Sequence, residues 1–174
     1  MIEAAILVIF PFCMAFAAVS DTLSMTIQNR VSILLVASFA VIAPLTGMPW
    51  MEYGLHFAIA AAVLAVTFGL FAINAMGGGD AKLLTGVSLW IGLNMQLMEY
   101  MVLSTILGGF LTLLVLKLRA SPMAVYGGQL EFVRRIADPA KGVPYGIALG
   151  IAGLYIFPET KLAVWALNSI AGAH

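Results

Sequence analysis

The sequence predicts an all-α polytopic membrane protein with six transmembrane helices and one short amphipathic helix between the fifth and sixth. Three observations carry that fold class. Only 9% of the residues are charged and 63% are hydrophobic, with a mean hydropathy of +1.07, whereas a water-soluble domain carries about 25% charge. The apolar runs are continuous and near the roughly 20 residues that cross the hydrocarbon layer as a helix. They do not alternate every second residue as barrel strands do, and a lipid-embedded backbone satisfies its polar groups only as helices or as a closed barrel.

The first apolar run, 2–20, opens at Ile2 with no basic residue before it and with Glu3 at its head. A cleavable signal peptide needs positive charge there and a small-residue cleavage site behind, so this run is expected to persist as the first helix. The other spans are 31–46, 55–74, 83–98, 100–118 and 143–166. The second and fourth are short, which local thinning of the bilayer or an aqueous rim accommodates. The whole of 1–174 reads as a single membrane-embedded domain. Its only sizeable connection, 119–142, carries Leu130, Val133, Ile136 and Ala137 at helical spacing. Glu131, Arg134, Arg135 and Asp138 fill the other face, the pattern of an interfacial helix. Gly127-Gly128 precedes it and Asp138-Pro139 ends it.

Basic residues fall on one side of this plan. Arg30, Lys82 and the group Lys117, Arg119, Arg134, Arg135 and Lys141 lie in the connections after spans one, three and five. The other side has Lys161 among the acids Glu3, Glu52, Glu99 and Glu159. The positive-inside rule then places the basic connections in the cytoplasm and both termini outside.

Two acids stand apart. Asp21 closes span one and Asp80 opens span four, so the charge-derived topology puts both at the cytoplasmic face and at similar depth. Two adjacent carboxylates cannot both ionise easily and share a proton. Such a pair can hold a water, one member deprotonating it while the other protonates a scissile carbonyl. The plainer reading of Asp80 is a helix N-cap, and that of Asp21 a solvated helix end paired with Arg30. Before Asp80 stand Gly77, Gly78 and Gly79, which permit an extended backbone against which a peptide can lie. The Lys-Ser/Thr ending of a phosphate-binding loop is absent. Lys82 is expected to reach the inner headgroups, and Asn29 to order the loop after Asp21.

Gly77-Gly78-Gly79-Asp80-Ala81-Lys82-Leu83 resembles the GxGD signature of the membrane aspartyl proteases. Asp21 with Ile27-Gln28-Asn29 resembles the first-aspartate motif of the type IV prepilin peptidases, usually D-x5-I-P-N, and Pro144-Tyr145-Gly146-Ile147-Ala148 resembles their P-Y-G-x-A element. The likeness runs across nearly the whole chain, in order. It implies a cytoplasmic-membrane peptidase that removes the short basic leader of a prepilin on the cytoplasmic side. Asp21 and Asp80 match the catalytic aspartates, and no metal or other cofactor is implied. Gln28 departs from the usual proline. With one cysteine, Cys13, the chain lacks the cysteine-rich insert of the larger bifunctional members and is similar to the compact branch serving Flp-like pili.

Two rivals belong to other classes. A proton-coupled transporter using the same acids calls for midplane charges, broken helices and often paired repeats, and a pilus-assembly scaffold leaves the acids incidental. The expected partners are a prepilin and the lipid bilayer, not nucleic acid. His56 and His174 have no ligand partner at metal spacing. Trp50, Tyr53, Trp90 and Trp165 read as interface anchors or lipid-facing bulk, and Cys13 as a small hydrophobe.

Overall fold

A computed structural model describes residues 1–121, 138 and 142–172, and all its regular elements are helical. They are α1 (Ile2–Ser24), α2 (Asn29–Leu45), α3 (Trp50–Ala72), α4 (Gly78–Ile91), α5 (Met95–Arg119), α6 (Gly146–Ile156) and α7 (Lys161–Ala171). A single 3-10 turn, Phe157–Glu159, joins the last two. The amphipathic helix expected within 119–142 lies outside the described residues.

Three helices, α1, α3 and α5, are long and apolar enough to cross a membrane, and α6 with α7 makes a fourth if the pair is one span. Together with the composition, they make this a membrane protein. α2 has 17 residues and α4 has 14, or about 26 and 21 Å at 1.5 Å per residue. Both fall short of a layer about 30 Å thick.

Several boundaries differ from the sequence expectation, each for a local reason. α1 runs past residue 20 to Ser24 and ends where Met25 turns left-handed (φ 55), its N–H donating to the Asp21 carbonyl. Asp21 is therefore a helical residue. α3 starts at Trp50, behind Pro49. The fourth span, expected at 83–98, starts at Gly78 and stops at Ile91, because Gly92 takes φ 78. The Asn94 side chain then accepts from Leu97 N–H at 3.1 Å and starts α5 four residues before Glu99. The last span is not continuous: it bends by 48° between α6 and α7. Pro158 sits at the break, and Thr160 caps α7 by accepting from Ala163 N–H.

α4 is the axis of the bundle. From Gly86 to Ile91 every residue is buried, and α2, α3 and α6 pack on it. Trp90 is fully buried rather than lipid-facing. Its indole N–H donates to the Leu35 carbonyl at 2.8 Å, and its ring meets Phe10 and Phe39 at 5.3 and 6.1 Å. A hydrogen bond on its one polar atom lets this large ring sit in the core. Phe10 also stacks on Phe157, and buried His56 donates from Nδ1 to the Leu89 carbonyl at 2.7 Å. Lipid tails are as apolar as leucine, so helices in a bilayer associate through close packing, and small residues permit it. α6 supplies them against α1: a Cβ at Gly150 would lie 2.8 Å from the Met14 carbonyl oxygen, and one at Gly153 2.7 Å from the Met14 sulfur.

Candidate active site

Asp21 and Asp80 reach one place from two helices of opposite sense. Asp21 lies in the last turn of α1 and is 6% exposed, which removes the reading of a solvated end. One of its carboxylate oxygens accepts the Gly146 backbone N–H at 2.7 Å. That donor is at the first residue of α6, where helix N–H groups have no partner of their own. Asp80 is the third residue of α4, whose N-cap is Gly77, so Asp80 is not the cap. Its carboxylate curls back over the start of the helix, where a Cβ on Gly77 would be 2.7 Å from its Oδ2. Both carboxylates line one cavity of about 650 Å³, together with Gly77, Met76, Phe71 and Tyr145.

The glycines work differently from the expectation. Gly78 and Gly79 are helical, and only Gly77 is extended (φ -68, ψ 140). No left-handed backbone occurs among the three. What they provide is proximity. A Cβ on Gly79 would stand 3.1 Å from Ile27 Cβ, and one on Gly78 3.2 Å from the Phe71 ring. Ile27 also reaches the other way, its Cδ1 3.0 Å from where a Cβ on Gly146 would be. This buried isoleucine is thus wedged between Gly79 of α4, next to Asp80, and Gly146 of α6, whose N–H holds Asp21.

Lys82 and Asn29 meet each other, with Lys82 Nζ donating to Asn29 Oδ1 at 2.9 Å. The bond ties the start of α2 to α4 but faces away from the aspartate cavity, on a separate groove. Gln28, in place of the expected proline, has φ -68 and ψ 135, backbone that proline itself adopts.

Two further residues shape the site. Gly146 holds Asp21. Tyr145 walls the cavity and seats its ring on Gly108 of α5, where any Cβ would overlap it. The signal for both was the P-Y-G-x-A element, which in the sequence carries a resemblance but no role for either residue. Among the described residues no group of three or more His, Cys, Asp or Glu side chains is placed to hold a metal ion.

The sequence profile of the type IV leader peptidase family matches residues 8–116, more than half of the chain. This chain belongs to that family. It is accordingly a peptidase, a hydrolase of the membrane. No curated protein and no solved structure matches it. The matched stretch of this leader peptidase contains both aspartates and Ile27, and stops short of Gly146.

Proposed function

We propose that the protein is an aspartyl endopeptidase of the bacterial cytoplasmic membrane that removes the basic leader from Flp-like prepilins, with Asp21 and Asp80 activating the water. The observation that carries this reading is the convergence of two carboxylates, from separate helices, on one cavity. The chemistry balances within the pair. The ionised carboxylate takes a proton from water as the oxygen attacks the scissile carbonyl carbon, and the protonated one gives its proton to the carbonyl oxygen. Collapse of the tetrahedral species breaks the C–N bond, and the leaving amine takes a proton back from the dyad. The Gly146 N–H holds one Asp21 oxygen in place, so that this carboxylate is oriented before the substrate arrives.

A second cavity supports the substrate class. A bay of about 440 Å³ between α3 and α5, with apolar walls that include Val66, Leu70 and Met101, shares Met76 and Tyr145 with the aspartate cavity. An apolar helix arriving from the bilayer fits such a bay, and its polar N-terminal flank then reaches the carboxylates. The cytoplasmic orientation rests on Arg30, Lys82, Lys117 and Arg119, which lie with the aspartates at one end of the bundle. At the other end Lys161 pairs with Glu52 at 2.6 Å. The broken α6–α7 span is a transporter-like feature, but its break is at the far end of α6 from Asp21.

The test is co-expression with a candidate Flp-like prepilin and resolution of leader removal on a gel. Asp21→Asn and Asp80→Asn keep the size of the side chain but cannot carry the proton, and each is expected to slow cleavage by about 10²–10⁴-fold. Normal cleavage by either variant removes the dyad from the mechanism. A wild-type protein that leaves a correct substrate intact points to the transporter or the scaffold.

A further inference from the structure

Positive φ angles occur at four of the described residues, and they divide by place. Gly47 and Gly92 follow α2 and α4, do not line the aspartate cavity, and are glycines, for which such backbone costs little. Met25 (φ 55) and Asn74 (φ 57) are not glycines, and both line that cavity. Met25 ends α1 just after Asp21, its N–H donating to the Asp21 carbonyl at 2.8 Å. Asn74 follows α3 and leads into the Gly77–Asp80 stretch. Its N–H donates to the Phe71 carbonyl and that of Ala75 to the Leu70 carbonyl, both at 2.9 Å, a helix ending for which glycine is the usual residue and asparagine the second.

The turns by themselves do not call for these side chains. Both endings use backbone atoms only, so glycine would form either at lower cost. Side chains persist in this backbone region where something else requires them, and such positions cluster at active sites. Asn74 is exposed, and its carboxamide has no hydrogen-bond partner among the described residues. Apart from the two acids, it and Tyr145 are the lining side chains that can hydrogen-bond, while Phe71, Met76 and Val143 are apolar. A peptide cleaved here has to be unwound, and its freed backbone N–H and C=O groups then need partners beside those apolar walls. A carboxamide offers both an acceptor and donors. Methionine, unbranched and flexible, packs against neighbours of varied shape.

We propose that Asn74 and Met25 hold the substrate in the aspartate cavity. The Asn74 carboxamide pairs with the backbone of the extended segment beside the scissile bond, and the Met25 side chain packs against a side chain of that segment. The assignment deepens the reading given above and rests on it for the identity of the substrate.

Asn74→Gly is the deciding variant, because it keeps the left-handed turn and deletes the carboxamide. In full-length protein it is expected to raise KM for a prepilin about 3–10-fold, the range a single hydrogen bond confers, with a smaller change in kcat and no fall in the midpoint of thermal unfolding. Met25→Gly is expected to raise KM by at least about threefold through lost apolar contact, and Met25→Leu to restore most of that. The second measurement is binding of fluorescent prepilin to Asp80→Asn protein, with and without Asn74→Gly, where Kd is expected to shift by the same factor. Unchanged KM and Kd in the glycine variants would make Met25 and Asn74 turn residues alone and overturn the proposal. A loss confined to kcat, or one that accompanies a lowered unfolding midpoint, overturns it too. A wild type that binds prepilin and leaves it intact would instead overturn the proposed reaction, and the Kd shift then decides whether these two residues hold the peptide.

Discussion

One methyl group added at position 146 would lie 2.8 Å from Asp21 Cβ and 2.9 Å from its Oδ2. Asp21 Cβ is fixed to its own backbone and cannot swing aside, so α1 and α6 must separate, and the hydrogen bond from Gly146 N–H stretches with them. A hydrogen bond to a charged group is worth about 1.5–3 kcal/mol, so Gly146→Ala is expected to lower kcat/KM by about 10–100-fold, measured as prepilin cleavage by purified protein. Gly109→Ala is the contrast. Nothing lies within 4 Å of the added carbon there, and a mid-helix glycine is about 1 kcal/mol poorer than alanine. This variant is expected to cleave normally and unfold at a slightly higher temperature. The identity of both aspartates was legible in the sequence, because a carboxylate at the edge of an apolar run demands a reason. The part played by Gly146 was not. A glycine that packs two helices and a glycine that also donates a backbone N–H look the same in one dimension, and here one residue does both.

At the scale of elements, the connection between α1 and α2 is the joint on which the site turns. Ile27 fills the space between Gly79 and Gly146, and Gln28 enters α2 with a proline-like backbone. Proline placed where its backbone is already adopted stabilises by about 0.4–1 kcal/mol, through the unfolded chain. Gln28→Pro is accordingly expected to raise the midpoint of thermal unfolding in detergent without loss of cleavage. A lowered midpoint would show that the Gln28 N–H or the preceding residue has a role that proline cannot share. Hydropathy found α1, α3 and α5 to within a few residues, since long apolar runs carry their own signal. It misplaced α4, because the positive φ of Gly92 and the Asn94 cap divide one apolar stretch between two helices. It also read Trp90 as membrane-facing. Only the third dimension shows the Leu35 carbonyl waiting for the indole N–H.

Across the whole molecule, one end collects the chemistry. The Asp21–Gly146, Lys82–Asn29 and Arg119–Gly142 bonds all lie there, while Lys161–Glu52 closes the other end. Composition alone sufficed for the membrane and helical character. The break between α6 and α7 has a signal, Pro158-Glu159-Thr160-Lys161, but it is brief and lies between apolar runs that together have the length of one span. The arrangement of ends makes the orientation testable with cysteine labelling. Cys13 is the only cysteine and is buried, so Cys13→Ala gives a silent background. Trp50→Cys, at the exposed start of α3, and Ala120→Cys, just beyond α5, then report on opposite ends. In intact cells a membrane-impermeant maleimide is expected to label the cysteine at 50 and to spare the one at 120 until the membrane is opened, as the positive-inside rule requires. The reverse pattern would put the two carboxylates on the side away from newly made prepilins. The cavity would then face no leader, and the dyad would need a substrate presented from outside.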